Sequence, residues 1–439
     1  MFWGYLSQFL QYGAALFVLP LLLKRLSAPE LGVWFVFMTI YSMILLLDMG
    51  LSPTLARNVS YVIGGARRLL KSGYEIAEHH ADVDYGLMKA IIATARHAFA
   101  FLSIIALVLL AGPGTFYINE ITKELPRNNN VSAAWMIFVV AVCINIYFKY
   151  YTPLLQGRSL FAAYYKSTVI ANLLFIGVTG VLLQFGMGLP GVGLGFLASA
   201  ISGGLLSRRL FYDSDFKGRL DAAAPSSLDA FEVFGIMFHT GWRVGLTVVG
   251  IFLIQRVNTL LASVYLGLDT TAAYALTLHI MAALQSVSAV LFTVRRQKLA
   301  QYRVTNQRAA MRHSLESTFL FCVPTFILGA VAIVLGGSPL IRLIGGNVEL
   351  LPRPLLAWFG LMAFLDLMHS LAVGVIETGN QAPFYKAAIL SGLAIGLSAW
   401  IGLAYFNFGV AWLIGCQFVV QLAYNNWQWP WRVYKDLYR

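Results

Sequence analysis

Long apolar segments dominate this sequence and limit what it can fold into. A helix that crosses a bilayer needs about 20 mostly apolar residues, and such segments recur along nearly the whole chain. Transmembrane β-strands would instead give short segments of alternating hydrophobicity. The sequence therefore predicts an all-α, polytopic membrane protein with about 12 transmembrane helices, at residues 5–26, 31–55, 91–112, 132–155, 165–185, 189–207, 240–265, 271–293, 316–337, 354–376, 384–405 and 408–428.

Charged residues are scarce and unevenly distributed. They make up only 11% of the 439 residues, whereas a soluble domain contains roughly a quarter. If the N-terminus is cytoplasmic, most of the 31 Lys and Arg residues fall on the cytoplasmic side, as the positive-inside rule requires. We therefore expect both termini in the cytoplasm. Contact with anionic lipid headgroups accounts for the net charge of +12, so no nucleic-acid partner is expected.

The two halves of the chain show a weak internal repeat. The segment "RLSAPELGVW" (25–34) joins the first two predicted spans, and "YLGLDTTAAY" (265–274) joins the seventh and eighth, at an offset of 240 residues. Duplicated bundles are common in transporters. We predict an N-terminal six-helix bundle at 1–207, a cytoplasmic linker at 208–239, and a C-terminal six-helix bundle with a short cytoplasmic tail at 240–439. The two bundles would be pseudo-symmetric around a central cavity.

The first predicted hairpin, "LPLLLKRLSAPELGVWFVFMTIYSMILLLDMGLSPTLAR", carries a family resemblance. It resembles the opening hairpin of bacterial polysaccharide exporters and O-antigen (Wzx-type) flippases, which belong to the multidrug/oligosaccharidyl-lipid/polysaccharide superfamily. The matching features are "PELG" at the turn, Trp34, and "LDMGL" near the cytoplasmic end. "YLGLDTTAAYALTLHI" is similar to the corresponding hairpin of the second half. The resemblance implies flipping of an undecaprenyl-diphosphate-linked oligosaccharide from the cytoplasmic to the periplasmic leaflet.

Asp48 and Lys149 are charges at the ends of predicted spans. Ionisable groups in spans are costly and usually face the bundle interior or a water-filled cavity. Asp48 is a candidate for coupling to an ion. The interpretation that we favour is structural: it satisfies backbone groups where its helix ends or kinks, one turn before Ser52 and Pro53. Lys149, among several tyrosines, is a candidate for binding the diphosphate in the cavity.

Arg243 and Arg256 lie in the seventh predicted span, 13 residues apart. Arg256 falls near the middle of the membrane and Arg243 closer to its cytoplasmic side. Guanidinium groups bind phosphate oxygens in bidentate geometry, so both are candidates for holding the diphosphate. On a straight helix they point about 140° apart, so a shared cavity requires a bend at Gly245 or Gly250. The alternative for Arg243 is that it extends to the inner headgroups.

Asp366, His369, Ser370 and Glu377 share one face of the tenth predicted helix. Asp366 and His369 are one turn apart and can form a hydrogen bond. Such a pair would bind and release a proton near neutral pH, so Asp366, His369 and Glu377 are coupling candidates together with Asp48. In the alternative interpretation Asp366 pairs with an arginine of the seventh span, and Glu377 simply lies at the cytoplasmic end.

These features bear on three functions. The first is a flippase of the bacterial inner (cytoplasmic) membrane that works by alternating access and is coupled to H⁺ or Na⁺. The second is a multidrug/cation antiporter of the same superfamily, which the mid-span arginines disfavour. The third is a membrane enzyme acting on the same lipid carrier, which the short outside loops disfavour. We predict a membrane transporter and not an enzyme.

The expected partners follow from the first function. They are the lipid-linked oligosaccharide, membrane lipids, and a glycan polymerase or other polysaccharide-assembly proteins. No cofactor or metal is expected, because the three cysteines lie far apart within predicted spans and show no metal-ligand spacing.

Overall fold

The computed structural model describes residues 18–70, 82–125, 130–224, 228–304, 307–378 and 384–438. These residues form helices and short connections without a strand. Among them, nine helices are long and apolar enough to cross a membrane. The pair Gly267–Ser288 and Val290–Arg296, bent by 49°, gives a tenth. The predicted all-α, polytopic membrane fold is confirmed. The predicted spans from 31–55 onward all coincide with helical chain, whereas most of 5–26 lies outside the described residues.

The helices divide into two compact units. The first comprises the chain up to Leu26 together with Ile40–Val248, and the second comprises Ser27–Thr39 and the chain from Val249 onward. We number the helices α1 (18–25), α2 (Ala28–Ile44), α3 (Leu51–Ile63), α4 (Tyr85–Leu109), α5 (Thr115–Ile121), α6 (Val131–Phe148), α7 (Tyr151–Gly157), α8 (Phe161–Gln184), α9 (Gly188–Phe211), α10 (Ser214–Ala222), α11 (Ala230–Tyr265), α12 (Gly267–Ser288), α13 (Val290–Val304), α14 (Arg308–Leu343), α15 (Arg353–Glu377), α16 (Tyr385–Ala404), α17 (Val410–Ala423) and α18 (Asn425–Tyr438).

The "PELG" motif begins α2 with a capping box. The Ser27 backbone N–H and hydroxyl both donate to Glu30 Oε2, at 2.9 and 2.8 Å, and Glu30 N–H donates back to Ser27 Oγ at 3.4 Å. These bonds satisfy backbone donors that the first turn of a helix leaves free. Gly32 then packs directly on the backbone carbonyl of Leu268 in the second repeated hairpin, where a Cβ would collide with that oxygen. Two segments identified as a sequence repeat therefore pack together in the second unit.

The "LDMGL" motif turns the chain at the end of the second predicted span. A short 3₁₀ turn at Leu45–Asp48 follows α2. Met49 and Gly50 then adopt left-handed conformations, with φ of 42° and 77°. A side chain at Gly50 would meet the carbonyl oxygen of Gly241 in α11. The motif thus combines a change of chain direction with a close backbone contact, and both features favour glycine.

The stretch predicted as a linker, 208–239, contains well-formed helices. α9 continues to Phe211, α10 occupies Ser214–Ala222, and α11 begins at Ala230. Asp213 caps α10 by accepting a hydrogen bond from Phe216 N–H at 2.9 Å. The compact units meet along the chain within α11, at Val248 and Val249. The bundle boundaries derived from the sequence stay a prediction.

A hydrophobic core under α10 holds the first unit together. It combines residues of α3, α4, α7 and α9, among them Leu55, Ile91, Tyr151 and Phe211, with Phe216 of α10. All five side chains are buried. The connection after α9 is therefore fastened to its unit, which matters for the pocket described below.

Candidate functional site

A small polar cavity lies inside the second unit. Its volume is about 90 Å³. Four helices, α11, α12, α15 and α17, supply its lining, which is Gln255, Arg256, Leu278, Met281, Ala282, Gln285, Phe359, Met362, Ala363, Asp366, Ser370 and Gln417. We call it the Arg256–Asp366 cavity. It brings together two ionisable residues that the sequence analysis selected independently.

Arg256 and Asp366 share this cavity without forming an ion pair. Within the described part of the chain, neither side chain has a hydrogen bond or a salt bridge, and both are only half-buried. The static pairing of Asp366 with an arginine of the seventh span is therefore not formed by Arg256. Tyr274 and His279 on α12 are the titratable groups near Arg256 besides Asp366. Both charges are open to a ligand.

Amide side chains stiffen the walls of the cavity. Gln285 Nε2 donates to the Ala363 carbonyl at 2.7 Å. Asn258 Nδ2 donates to the Leu413 carbonyl at 3.2 Å and to Gln417 Oε1 at 3.3 Å. These bonds tie α11 to α17 and α12 to α15. The Asn258 Oδ1 atom is buried and has no hydrogen-bond partner among the described residues, so the donors of these amides are engaged while one acceptor beside the cavity is not.

His369 points away from its expected partner. Its Nδ1 lies 2.9 Å from the backbone carbonyl of Asn425 at the start of α18. A carbonyl only accepts, so Nδ1 carries the proton in this contact. The hydrogen bond to Asp366 that the spacing allowed is absent from the described residues. The expectation is corrected because the packing of α15 places the Asn425 carbonyl, at the α17–α18 break, within hydrogen-bonding distance of His369.

Glu377 lies at the C-terminal end of α15, away from the cavity. It forms an ion pair with Arg296 at 2.6 Å, and the two side chains are 40% and 50% exposed. This placement agrees with the alternative interpretation, in which Glu377 simply lies at the end of its helix. The side chain of Arg243 lies outside the described residues, although its backbone belongs to α11.

Asp48 and Lys149 meet in the first unit. Lys149 Nζ is 2.9 Å from Asp48 Oδ2. Asp48 also accepts hydrogen bonds from Ser52 N–H at 2.9 Å and from Ser52 Oγ at 2.6 Å. The carboxylate therefore caps α3 just after the left-handed turn, as the structural interpretation requires. In the same contact the Lys149 ammonium group is paired with a protein carboxylate.

Several polar neighbours of the cavity escaped the sequence analysis. His279 stacks on Phe35 with ring centroids 4.9 Å apart, and Gln285 and Gln417 contribute amides to the lining. The sequence signal for them is a neutral polar residue near the centre of an apolar run. Such residues, like charged ones, rarely face lipid.

Comparison with known proteins places this fold. No family model matches the sequence, and no curated protein matches it. Among solved structures, an inward-facing multidrug resistance transporter of the MATE family, MOP superfamily, has a TM-score of 0.68 at 13% identity, covering 97% of this chain and 95% of that one. The lipid II flippase MurJ in an inward closed conformation has a TM-score of 0.66 at 15% identity, covering 99% and 87%.

A third structure extends the comparison. It is a MOP superfamily transporter from Pyrococcus furiosus, described as having a binding pocket of reverse polarity that suggests a different function. Its TM-score is 0.51 at 13% identity, covering 99% of this chain and 95% of that one. Likenesses at this identity establish the fold and leave the substrate open. The chain is a polytopic membrane protein whose fold is similar to that of the MATE family transporter and of MurJ.

Proposed function

We propose that this protein is a flippase that moves an undecaprenyl-diphosphate-linked oligosaccharide from the cytoplasmic to the periplasmic leaflet by alternating access. The observation that carries the proposal is Arg256, a cation without a hydrogen bond or an ion pair among the described residues, in a cavity within the span region of the second unit. Asp366 lines the same cavity, but a charge at such a position that forms no direct ion pair is still costly. An anionic ligand would remove much of that cost when it binds.

Diphosphate is the ligand chemistry that best suits the guanidinium. Its planar fork donates to two phosphate oxygens at once, and charge-assisted hydrogen bonds of this kind are the stronger ones. The cavity has a volume of about 90 Å³, enough for a few water molecules or one phosphate-sized group. We therefore assign it to the charged group of the substrate and place the sugars outside it.

Asp366 is the coupling residue in this proposal. It shares the cavity with Arg256, and Tyr274 and His279 are the other titratable groups close to that arginine. Binding of H⁺ or Na⁺ to Asp366 would remove negative charge beside Arg256. Coulomb's law then makes the cavity more attractive to phosphate. His369, Glu377 and Asp48 are weaker coupling candidates because each already has a protein partner. For the same reason Lys149 is a weaker candidate for binding the diphosphate.

A multidrug/cation antiporter is the second candidate function. Asp366, a carboxylate in the same cavity without a hydrogen bond or an ion pair to any described residue, is the observation that favours it, since a cationic substrate would bind there. Arg256 counts against it, because a cation approaching Asp366 meets a like charge. The membrane enzyme acting on the lipid carrier finds no support in the fold.

The experiment uses purified protein in liposomes that contain a fluorescent undecaprenyl-diphosphate sugar. Leaflet exposure of the sugar is followed with and without a pH or sodium gradient. The variants are Arg256→Gln, Arg256→Lys and Asp366→Asn. Arg342→Gln is the matched control, because it removes the same charge from the second unit at an exposed ion pair with Glu349.

We expect Arg256→Gln to lower the flipping rate about 10- to 100-fold, the loss of one or more charge-assisted hydrogen bonds. Arg256→Lys should retain part of the rate, and Arg342→Gln should retain all of it. Asp366→Asn should remove the response to the gradient. Equal rates for wild type and Arg256→Gln would refute the proposal. Uptake of cationic dyes that depends on Asp366, without lipid flipping, would establish the antiporter instead.

The remaining expectations belong to this proposal. They are location in the bacterial inner membrane with both termini cytoplasmic, and association with a glycan polymerase or other polysaccharide-assembly proteins. The orientation is supported by the positions of Lys and Arg along the sequence.

A further inference from the structure

A second and larger pocket lies in the first unit. Its volume is about 620 Å³. The ends of α6 and α9, one side of α4, and helices α7 and α10 form it. Four cationic residues line it, Arg96, Arg208, Arg209 and Lys217, with one acidic residue, Asp221. We call it the basic pocket. In the predicted orientation it lies on the cytoplasmic side.

The cations of the basic pocket have no carboxylate partners. Arg96, Arg208, Arg209 and Lys217 form no ion pair or side-chain hydrogen bond with any residue that the structure describes. Nearby cations outside the pocket behave differently. Arg158 is paired with Asp213 at 2.9 Å, and Arg219 with Asp215 at 3.1 Å. Acidic residues are thus present in this region, but those that the structure describes form no ion pair with the four cations of the pocket.

Tyrosines form the floor of the pocket. Tyr150 and Tyr151 are buried with stacked rings 4.3 Å apart, and the rings of Tyr151 and Tyr212 meet edge to face with centroids 6.2 Å apart. Burial, opposed by the charges of Arg96 and Arg208, raises the pKa of Tyr212 to about 12. The phenol is therefore neutral at physiological pH and keeps a proton to donate.

The wall formed by α10 is held in place before any ligand arrives. Arg158 Nη1 donates to the Phe211 carbonyl at 2.6 Å, and its Nη2 donates to Asp213 at 2.9 Å. The same guanidinium lies 3.6 Å from the centroid of the Phe216 ring. Asp213 also caps α10. These contacts fix Lys217 and Asp221 relative to the arginines at the end of α9, and pre-organisation of this kind favours binding.

We propose that the basic pocket binds the phosphate or diphosphate group of an anionic lipid at the cytoplasmic surface of the membrane. Converging cations and neutral hydroxyl donors over a concave aromatic floor match a multiply charged oxygen anion. The rim supports a lipid source, since Leu205 in the pocket and Ile201 one turn earlier on α9 are 50% and 39% exposed. An acyl or prenyl chain can follow that apolar surface while its headgroup sits among the arginines.

This inference goes beyond the proposed function and does not rest on it. The pocket belongs to the first unit, whereas the Arg256–Asp366 cavity lies in the second. The competing explanation is that these cations only follow the positive-inside rule. A charge distribution of that kind would make every cytoplasmic cation of the unit equivalent for lipid binding. The concave, tyrosine-floored arrangement predicts that the pocket residues dominate.

The test measures lipid binding without transport. The purified full chain is loaded with labelled phosphatidylglycerol and exchanged into phosphatidylcholine nanodiscs, and the retained lipid is titrated. Arg208→Gln/Arg209→Gln is the pocket variant. Lys89→Gln/Arg219→Gln is the matched control, because it removes two cations from α4 and α10 that do not line the pocket. Thermal unfolding verifies that both variants fold, and Lys217→Gln serves as a milder pocket variant.

We expect the pocket variant to bind phosphatidylglycerol about 10-fold more weakly or worse, and the control to stay within about 2-fold of wild type. Competition then identifies the source of the phosphate. If inorganic diphosphate, without a lipid chain, displaces the labelled phosphatidylglycerol, the site binds the free anion. If only undecaprenyl diphosphate displaces it, the site binds the lipid-linked carrier. Equal affinities of wild type and the pocket variant would overturn the proposal. An equal loss in the control would do the same, by reducing the effect to general surface charge.

Discussion

The ion pair between Asp48 and Lys149 gives a prediction whose size follows from the structure. Asp48→Asn removes the negative charge and keeps the shape of the side chain. The remaining Oδ1 can still accept the hydrogen bond from Ser52 N–H, so the cap of α3 is largely preserved. Lys149 loses its carboxylate while its side chain stays 27% exposed. The main cost is therefore a partly buried ammonium without a counter-charge.

The magnitude lies between those of exposed and buried pairs. At 2.9 Å, the attraction of two unit charges is about 6 kcal/mol with an effective dielectric constant of about 20. Desolvation and side-chain ordering offset most of it, so hydrogen bonds to charged groups contribute about 1.5–3 kcal/mol net. We expect Asp48→Asn to cost about 2 kcal/mol. Lys149→Gln should cost about 1 kcal/mol, because both hydrogen bonds from Ser52 to Asp48 remain.

A double-mutant cycle measures the pair itself. The double variant Asp48→Asn/Lys149→Gln should lose about 2 kcal/mol rather than the sum, which gives a coupling energy of about 1 kcal/mol. Unfolding is followed by circular dichroism of detergent-solubilised protein titrated with SDS, and flipping by the liposome assay. Strict additivity would refute the ion-pair argument. Loss of flipping in Asp48→Asn at unchanged stability would instead show that Asp48 takes part in coupling.

Three further predictions concern helix ends. Gly50→Ala should destabilise the protein by about 2 kcal/mol or more, because its left-handed backbone and a contact with α11 leave no room for a Cβ; an unchanged melting temperature would contradict this. Asp213→Ala should cost about 1 kcal/mol and Asp213→Asn less, since asparagine also caps, as judged by hydrogen exchange in α10. The Phe216 N–H and then the paired guanidinium hold the pKa of Asp213 below its ordinary value. The contribution of Asp213 to stability is therefore complete at pH values above its ordinary pKa and is lost as the pH falls through the lowered pKa. Hydrogen exchange in α10 that does not change across this acid range would contradict this expectation. Glu377→Gln should change stability by less than about 1 kcal/mol, because its partner Arg296 is exposed too, and flipping should stay normal; a selective loss of flipping would return Glu377 to the coupling machinery.

Local chemistry made much of the fold predictable. The apolar runs specify helices, because only internally hydrogen-bonded segments cross a bilayer. Ser27 and Glu30 stand at the spacing of a capping box, and Asp48 stands one turn before Ser52. In both places the structure shows the short-range hydrogen bonds that the spacing favours. Interactions within one turn of a helix depend on residue spacing, which can be read directly from the sequence.

Contacts between helices were less predictable. Nothing in the spacing of His369 indicates the carbonyl of Asn425 across 56 residues, or that Lys149 reaches back to Asp48. The cavity itself needs four helices at once, and apolar runs carry no signal for which faces meet. Arg256 and Asp366 were selected because charges in spans are rare and functional. That rule identifies candidates, whereas the packing decides which of them keep a free charge.

The presence or absence of a protein partner separates the candidate site residues better than their predicted depth in the membrane does. Asp48, Lys149 and Glu377 have their charges matched by protein groups, so a ligand must first break a formed contact to use them. Arg256 and Asp366 require no such step, because each lines a cavity without a partner among the described residues. A ligand shifts an equilibrium only by its differential interaction with the available states. Among the described residues, the unpaired charges of the second unit and those of the basic pocket in the first are therefore available to a bound ion without the loss of a protein contact.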